Sequence, residues 1–429
     1  MQRRIAASAL AVAIALAASA CGSSGGGHGQ SASGDPSAIA GTITYWDTSD
    51  ATAEAPAYQA LIKQFEAKYP KIHVNYVNVP FANVEQKFKT AAQSGKGAPD
   101  VMRADVGLVD EYATLGYLAP LDGTRAVADT PADFLKGPEQ TAKVNGKTYG
   151  VPSVTDTLGL LYNKALFKKA GIAAPPKTWQ ELISDSAVIK QKTGAYGTYL
   201  NPDSYFLLPF LYGEGADMVD PASKKITISR PQAVAALAEA KKVYDTSSMK
   251  VDFANAYDNM QTAFKTGKVA MLVQGPWSTA DDFTGSAFAD KSNLGIAPVP
   301  AGSTGHASAP TGGHDLVVYA GSGQLAASEL FTEFMTSTAA EQQIALKNGT
   351  LPARSSAYTA KVLADPSIAG FRPVLDTARP RAQVAQVGSL FTPLATAYIK
   401  VLQGTETPQQ GADDAAKGFK SLLPGYSVG

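Results

Sequence analysis

The sequence predicts an α/β protein folded in two lobes, and three observations support this prediction. Strand patterns and helix patterns alternate from Gly41 onward, which is typical of sheets covered by helices, and we expect mainly parallel sheets, one in each lobe. The residues after the N-terminal leader are too many for one hydrophobic core and about right for two. Because no period of about 20 to 50 residues recurs, a repeat array is excluded.

The N-terminal segment is typical of an export signal that ends at the only cysteine of the chain. Arg3 and Arg4 precede an apolar run over 5–18, and small residues separate this run from Cys21. The run is too short to cross a hydrocarbon core of about 30 Å. Its arrangement resembles a bacterial lipoprotein signal, so we predict that 1–20 is the signal peptide. Cys21 would then carry the lipid and hold the protein on the extracellular face of the cell membrane. The alternative is a soluble secreted protein whose first mature residue is cysteine.

The composition predicts a flexible N-terminal tether and indicates which classes of partner the protein lacks. Residues 21–40 are rich in Gly, Ser and Ala and predict a flexible tether. The chain has 37 Lys and Arg residues and 37 Asp and Glu residues, with no basic stripe, so we expect no nucleic-acid partner. A single cysteine forms no intramolecular disulfide. We expect a monomer that contacts the membrane only through its lipid.

The first half of the folded part contains clear strand, helix and turn signals. The predicted elements are strand 42–46, helix 58–69, strand 72–76, helix 81–94, strand 101–102, helix 106–115 and strand 158–162. Asn-Gly within 144–147 indicates a hairpin turn. Gly171 is placed to end the helix that follows 158–162. Thr178 and Glu181 have the spacing of a capping box at the start of the next helix.

The second half repeats this alternation. The predicted elements are helix 231–244, helix 259–264, strand 268–273 and strand 316–319, followed by helices from Leu325 to the end. Pro231 suits the first turn of its helix. Gly267 ends the helix 259–264, and the strand 268–273 runs into Gly275, Pro276 and Trp277.

The chain contains few signs of an enzyme. His28 lies in the tether, His73 at a polar strand position, and His306 and His314 in Gly- and Pro-rich sequence, without the spacing of a metal site. No GxSxG or Walker-type motif occurs. We therefore predict no metal, no cofactor and no catalytic residue. Carboxylates are plentiful, so a glycosidase pair is not excluded by spacing, although most acids are surface residues.

The informative residues are aromatic side chains next to polar loops. Trp46 ends a strand and is followed by Asp50, Trp277 follows an apolar strand, and Tyr205 and Phe206 follow an Asn-Pro-Asp turn. In open α/β sheets, ligands bind beyond the carboxyl ends of the strands. An aromatic plane covers the apolar face of a sugar, while acids and arginines bind its hydroxyls. These residues favour a carbohydrate ligand, the alternative for each tryptophan being core packing.

Six segments in order carry a family resemblance. They are APDVMRAD (98–105), LGYLAPLD (115–122), YGVP (149–152), LLYNK (160–164), PPKTW (175–179), and GKVAM (267–271) leading to GPW (275–277). With them the chain resembles the extracellular solute-binding proteins of ABC transporters, of the maltose- and maltodextrin-binding type. More narrowly, it resembles the lipid-anchored forms of high-GC Gram-positive bacteria.

The resemblance implies a two-lobe periplasmic-binding-protein-like fold of class II with a hinge between the lobes. It implies an N-terminal lobe of 41–153 and 315–350 and a C-terminal lobe of 154–314 and 351–429. The implied function is the extracellular capture of a sugar or oligosaccharide between the lobes and its delivery to permease subunits, without catalysis. Two alternatives stay open: a secreted carbohydrate-active hydrolase, and a binder of a non-sugar solute such as a peptide or a metal ion.

The resemblance also implies where the chain crosses between lobes and which residues bind the ligand. The expected crossings lie near 153–157, 312–316 and 350–353. The family's acids match Asp50, Asp47, Asp105 and Asp156, its stacking aromatics match Tyr205 and Trp277, and related binders point arginines like Arg379 and Arg381 at hydroxyls. The predicted ligand-binding set is Trp46, Asp47, Asp50, Asp105, Asp156, Tyr205, Trp277, Gly313, Arg379 and Arg381. Ala51 stands where the maltose type has lysine, so maltose itself is not implied.

Overall fold

The structure is a computed structural model that describes residues 35–127 and 133–429, which belong to one compact unit, Ser31–Gly429. The predicted signal peptide, Cys21 and most of the predicted tether lie outside the described residues. The strands of the described part are β1 (Gly41–Asp47), β2 (Ile72–Asn78), β3 (Val101–Asp105), β4 (Lys143–Val144), β5 (Lys147–Thr148), β6 (Gly150–Thr157), β7 (Gly159–Asn163), β8 (Tyr196–Thr198), β9 (Val219–Asp220), β10 (Lys225–Ile226), β11 (Val269–Gln274), β12 (Leu294–Ala297), β13 (Ala309–Val318), β14 (Leu351–Pro352), β15 (Ala378–Arg379) and β16 (Ser427–Val428).

Helices cover the sheets of the described part. They are α1 (Ala55–Lys68), α2 (Phe81–Ser94), α3 (Val109–Thr114), α4 (Lys136–Thr141), α5 (Lys164–Ala170), α6 (Trp179–Thr193), α7 (Leu208–Gly213), α8 (Pro231–Ser247), α9 (Ala256–Lys265), α10 (Thr279–Asp282), α11 (Leu325–Met335), α12 (Thr338–Asn348), α13 (Ala360–Leu363), α14 (Pro366–Val374), α15 (Val387–Gln403) and α16 (Pro408–Leu422). Within 35–127 and 133–429, none of them is long and apolar enough to cross a bilayer.

Local turn chemistry sets several of these boundaries. Gly171 ends α5 in the left-handed region at φ 78°, as expected. The Asn145-Gly146 turn between β4 and β5 has φ values of 50° and 78°, which are those of a hairpin turn. Thr178 caps α6 by accepting from the backbone N–H of Glu181 at 3.1 Å. The Glu181 carboxylate accepts from the N–H of Lys177 at 2.6 Å, one residue before the position that a capping box requires.

The large sheet has the strand order β14-β6-β13-β3-β1-β2, with β15 added to β13. β1 pairs in parallel with β2 and β3, but β13 pairs antiparallel with both β3 and β6. The expectation of mainly parallel sheets is therefore wrong. The chain leaves this sheet along β6 and returns along β13, and two neighbouring strands that lead out and back must run in opposite directions.

Apolar clusters pack on both faces of the large sheet. One cluster joins β1 and β13 to α1, α11 and α12, and the other joins β1 and β3 to α2 and α3. The second sheet has the order β12-β7-β11-β8 and is covered by α6, α8, α9, α14, α15 and α16 in a separate cluster. We call the part built on the large sheet the N-lobe and the part built on the second sheet the C-lobe. The residue boundaries given above for the lobes stay a proposal.

The segments expected to cross between the lobes lie on three neighbouring strands. Thr155 of β6 is paired with Gly313 of β13 on one side and with Leu351 of β14 on the other. Gly313 has φ 123°, a value that other residues rarely adopt, and a Cβ there would overlap the carbonyl oxygen of Val154. Glycine therefore allows the close approach of β13 to β6 where the chain passes between lobes.

Candidate functional site

The predicted acid on β6 and the predicted tyrosine meet at one point beside the crossing strands. Asp156 of β6 is paired with Gly312 of β13. A Cβ on Gly312 would overlap the Asp156 Oδ1 atom and lie 2.8 Å from the Tyr205 Oη atom. Tyr205 is on the short turn Ser204–Leu207, which begins where the Asp203 carboxylate accepts from the Tyr205 N–H at 2.8 Å. The phenol hydroxyl of the C-lobe thus lies next to a carboxylate of the crossing strand.

Four aromatic side chains of the C-lobe form a continuous surface, which we call the aromatic wall: Tyr205, Tyr257, Trp277 and Phe391. The ring centroid of Tyr205 lies 6.5 Å from that of Trp277 and 6.4 Å from that of Phe391. The Trp277 Nε1–H donates to the Tyr257 Oη atom at 3.1 Å, and 41% of Tyr257 is exposed. Partly exposed rings with polar edges are suited to contact a ligand that has both apolar and polar faces.

An ion pair joins Asp105 of the large sheet to Arg381, whose neighbours Ala382 and Val384 pack in the C-lobe cluster beside this wall. The Arg381 Nη2 atom lies 2.7 Å from Asp105 Oδ1, and only 9% and 17% of the two side chains are exposed. The same Oδ1 atom accepts from the Gly107 N–H at 2.7 Å, which fixes the carboxylate at the end of β3. The guanidinium carbon lies 5.8 Å from the centroid of Tyr205. A cavity of about 210 Å³ borders Arg381 and Gly107.

The charges of this cluster act on one another. Burial, followed by the charge of Asp105, raises the pKa of Asp156 to about 7, although the guanidinium of Arg381 acts to lower it. Burial, followed by the charge of Asp156, raises the pKa of Tyr205 well above its ordinary value. A carboxyl that titrates near neutral pH can either accept a hydrogen bond from a ligand hydroxyl or donate one to it.

Three predicted residues lie apart from this cluster. Trp46 is only 4% exposed and packs in the apolar cluster of α2 and α3, with Lys87 Nζ 4.4 Å from its ring centroid. The buried Asp47 carboxylate accepts from the Ser49 hydroxyl at 2.6 Å and the Tyr76 hydroxyl at 2.8 Å. Asp50 is exposed, and its carboxylate accepts from the N–H groups of the turn that follows it. The loop after β1 thus uses both acids for its own hydrogen bonds.

The two predicted arginines have different surroundings. Arg379 forms an ion pair with Asp217, and its guanidinium carbon lies 3.7 Å from the ring centroid of Tyr212. Tyr212 and the two neighbours of Asp217 pack in the C-lobe cluster. These contacts of Arg379 therefore hold the segment that carries Arg381 against the C-lobe. Of the two, the structure brings Arg381 together with Asp105, Asp156 and Tyr205.

Comparison with known proteins identifies the family. Residues 48–342 match the model of the bacterial extracellular solute-binding protein family. The chain belongs to this family. The solute-binding protein is similar to the GacH receptor of Streptomyces glaucescens, solved unliganded and in complex with acarbose, with a TM-score of 0.86, 44% identity, and coverage of 91% of this chain and 100% of that one.

Two curated relatives add to this comparison. A maltooligosaccharide ABC transporter solute-binding lipoprotein of Streptococcus pneumoniae (strain ATCC BAA-255 / R6) is 26% identical over 347 residues, which cover 77% of this chain and 78% of the relative. A binding protein of Brucella abortus (strain 2308) is 29% identical over 278 residues. That alignment covers 63% of this chain and 66% of the relative, slightly less than two thirds of its length.

These findings confirm the predicted family, the α/β two-lobe fold and the extracellular solute-binding function. Because the family consists of solute-binding proteins, the prediction of a binder rather than an enzyme is also confirmed, and the secreted hydrolase is set aside. In the part of the chain that the structure describes, no group of three or more His, Cys, Asp or Glu side chains could hold a metal ion.

The sequence reasoning did not select two members of the aromatic wall. Tyr257 lies in the first turn of α9, and a single tyrosine at a helix start has no periodic signal. Phe391 lies on α15, whose apolar residues follow helical spacing, so its sequence position does not separate it from residues of the core. The Ser204 hydroxyl donates to the Phe391 carbonyl at 2.9 Å, which holds α15 against the turn that carries Tyr205.

The raised pKa of Asp156 predicts how stability depends on pH. Between about pH 4 and pH 7 the folded protein holds a proton on Asp156 that the unfolded chain has lost, so this residue's contribution to stability decreases as pH rises through that range. Asp156→Asn should therefore show a smaller fall in melting temperature from about pH 5 to about pH 8 than the wild type. The measurement is thermal unfolding of the unliganded protein at both values.

Asp290→Asn is the matched control. Asp290 is exposed, and hydrogen bonds from Ser292 lower its pKa. Its small contribution to stability is therefore lost as pH falls, whereas that of Asp156 is lost as pH rises. An Asp156→Asn protein with the same pH dependence as the wild type would contradict the burial of this carboxyl.

Proposed function

We propose that this solute-binding protein is the carbohydrate-binding component of an ABC transporter and that it captures an oligosaccharide between its lobes. The observation that carries the proposal is the aromatic wall of the C-lobe beside Asp105, Asp156 and Arg381. A pyranose ring has an apolar face of C–H groups, which an indole or phenol covers, and a rim of hydroxyls, which carboxylates and guanidinium bind.

The wall favours an oligosaccharide over a monosaccharide. Phe391, Tyr205 and Trp277 follow one another at 6.4 and 6.5 Å between centroids, and together they are longer than one sugar ring. The 44% identical receptor was solved with acarbose, and the pneumococcal relative is named for maltooligosaccharides. We therefore propose a glucose-containing oligosaccharide of the maltooligosaccharide or acarbose type.

Capture requires that the lobes move relative to each other. The crossing strands β6, β13 and β14 provide the hinge, and a ligand that contacts both lobes stabilises the closed form over the open one. The contact between Arg381 and Asp105 supports this proposal, in which a sugar would meet a donor, Arg381, from the C-lobe and an acceptor, Asp105, from the N-lobe.

Delivery requires a transporter in the membrane. We propose that Cys21 is lipidated and that residues 21–40 act as a tether on the extracellular face, which keeps the binder near its permease at a high effective concentration. The pneumococcal relative is named as a lipoprotein, which supports this part of the proposal.

A ligand screen tests the proposed function. Thermal shift and calorimetric titration should use maltose, maltotriose, maltotetraose and acarbose, with cellotriose as a control of equal length and different linkage. We expect stabilisation by the maltooligosaccharides or acarbose, weaker or no stabilisation by cellotriose, and unchanged sugars after incubation. Absence of a shift with every sugar would contradict the proposal, and release of shorter sugars would indicate a hydrolase.

The two arginines provide a second prediction. Arg381→Ala should raise the Kd for the best-binding sugar about tenfold or more, because it removes a guanidinium that faces the proposed ligand and leaves Asp105 unpaired. Arg379→Ala should change the Kd about twofold or less, because Arg379 is bound to Asp217. Calorimetric titration of both variants checks this, and equal effects would contradict the distinction between them.

A further inference from the structure

Asp282 is a buried acid that contacts the turn carrying Trp277. It is the last residue of α10 and is 0% exposed. Its Oδ2 atom lies 3.1 Å from the Ser278 Oγ atom. Among the described residues its Oδ1 atom has no hydrogen-bond partner, although it is buried. An incompletely bonded carboxyl costs free energy inside a protein, so its presence behind this turn needs an explanation.

The Ser278 hydroxyl connects Asp282 to the residue on which the indole packs. Its Oγ atom also lies 3.1 Å from the Gly275 carbonyl oxygen, and Ser278 is 2% exposed. A Cβ on Gly275 would overlap the six-membered ring of the Trp277 indole, because the ring lies directly on this glycine. A series of contacts therefore runs from Asp282 through Ser278 and Gly275 to the indole.

A proton on Asp282 satisfies both contacts of this hydroxyl. Ser278 has one hydroxyl hydrogen, so it cannot make a full hydrogen bond to the Gly275 carbonyl and to a carboxylate at once. When Asp282 is protonated, its own O–H donates to Ser278 Oγ, and the Ser278 hydrogen is free for Gly275. Burial and the charge of Asp281 raise the pKa of Asp282 to about 7, although the Ser278 hydroxyl and the charge of Lys265 act to lower it. The neutral acid is the form that completes the series.

The indole needs this support from the buried side of its turn. Its single N–H donates to the Tyr257 Oη atom at 3.1 Å, and Tyr257 is 41% exposed. A hydrogen bond between two partly exposed side chains contributes little by itself, because water competes for both groups. The bonds of Ser278 are instead buried, so they hold the turn without competition from water.

We propose that Asp282 is a positioning residue of the ligand site, which holds Trp277 in the aromatic wall through the Ser278 hydroxyl. This inference rests on the proposed function. Because Asp282 is 0% exposed, it does not itself contact the sugar. A binding residue that loses its supporting contacts becomes loosely held and binds more weakly. Removing Asp282 therefore weakens binding although every side chain of the aromatic wall is still present.

The test is calorimetric titration of three variants with the sugar that binds best, at about pH 6, where Asp282 is mostly protonated. Asp282→Ala and Ser278→Ala should each raise the Kd about fivefold, because each breaks the series of contacts. Asp282→Asn should stay within about twofold of the wild type, because its amide donates to Ser278 Oγ as the protonated acid does. Equal rises for Asp282→Ala and Asp282→Asn would overturn the inference.

Asp281→Asn is the matched control. Asp281 directly precedes Asp282 on α10, but its Oδ1 atom lies 2.7 Å from Lys265 Nζ of α9, and its side chain is 39% exposed. An exposed ion pair contributes little, so the Kd should stay within about twofold of the wild type. A rise equal to that of Asp282→Ala would overturn the inference, because the effect would then not pass through Ser278.

The fluorescence of Trp277 separates positioning from a general loss of structure. It is obtained as the difference between each protein and the same protein carrying Trp277→Phe. We expect acrylamide to quench Trp277 more strongly in Asp282→Ala than in the wild type, and equally in Asp282→Asn and the wild type. Trp46 and Trp179 are 4% and 2% exposed, and their quenching should not change. Unchanged quenching of Trp277 in Asp282→Ala would overturn the inference.

A double variant tests whether Asp282 acts through Ser278. Asp282→Ala combined with Ser278→Ala should raise the Kd no more than Ser278→Ala alone, whereas the product of the two separate rises would overturn the inference. If Asp282→Ala does not fold, Ser278→Ala carries the same expectations for the Kd and for the quenching of Trp277, and a Kd and quenching equal to those of the wild type would overturn the inference.

The outcomes distinguish this inference from the proposed function. A wild-type protein that binds none of the sugars of the screen refutes the proposed function, and the quenching of Trp277, which needs no sugar, still tests the contact with Asp282. If the wild type binds sugar and Asp282→Ala binds it equally tightly, only the role of Asp282 is refuted.

Discussion

Replacing Trp277 with alanine is expected to weaken oligosaccharide binding by about 1–3 kcal/mol, roughly a 5- to 150-fold rise in Kd. Trp277 lies on the turn Pro276–Ser278 at the end of β11, partly exposed, with its ring packed over Gly275. Its Nε1–H donates to Tyr257, so the indole is held at the surface of the aromatic wall. Calorimetric titration of the variant with the best-binding sugar measures the effect. The melting temperature of the unliganded protein should change little.

Trp179→Ala is the control for this prediction, because the two tryptophans differ in their surroundings. Trp179 is 2% exposed and stacks on Phe210 with ring centroids 3.9 Å apart. Its loss should lower the free energy of unfolding by about 3–5 kcal/mol and leave the Kd of the folded protein nearly unchanged. Undiminished binding by Trp277→Ala would remove Trp277 from the site.

Gly313→Ala is expected to lower the free energy of unfolding by about 3 kcal/mol, as read from urea denaturation. The alanine would have to keep a backbone φ of 123°. Its Cβ would lie 2.8 Å from the Thr155 Cα atom, where β13 pairs with β6. To make room for the Cβ, β13 must move away from β6. Because these strands connect the lobes, this movement should also shift the balance between open and closed forms and change the Kd for the sugar.

Gly305→Ala separates the two causes of this effect. Gly305 also has a positive φ, 73°, but a Cβ there would meet nothing within 4 Å. Its substitution should cost about 1 kcal/mol through backbone strain alone. If Gly313→Ala were as stable as Gly305→Ala, the close approach of the crossing strands would not depend on glycine.

The order of elements could be predicted from local patterns, while strand direction could not. The helix predicted over 81–94 forms as α2 with the same bounds, because its apolar spacing and the Gly95 that follows it are local signals. The apolar runs of β7 and β11 indicate burial, yet an antiparallel pair such as β7 and β11 has the same composition as a parallel one. Direction depends on where the chain crosses between lobes, which is a property of the whole fold.

Part of the candidate site was expected from the ends of strands and part only from the family resemblance. Trp277 was expected because it follows the apolar strand β11, whereas Asp105 at the end of β3 and Asp156 on β6 were expected only by their match to the family. Trp46 also lies on a strand, but its side chain points to the face that α2 covers. Tyr257 stands in the first turn of a helix, and only the folding of the C-lobe places it beside Trp277.

The most direct test of oligosaccharide capture between the lobes is the crystal structure of the complex with the sugar that binds best. The account predicts sugar rings against Trp277 and Tyr205, with hydroxyls within hydrogen-bond distance of Asp105, Asp156 or Arg381. A sugar bound elsewhere on either lobe, with the aromatic wall free of ligand, would contradict it.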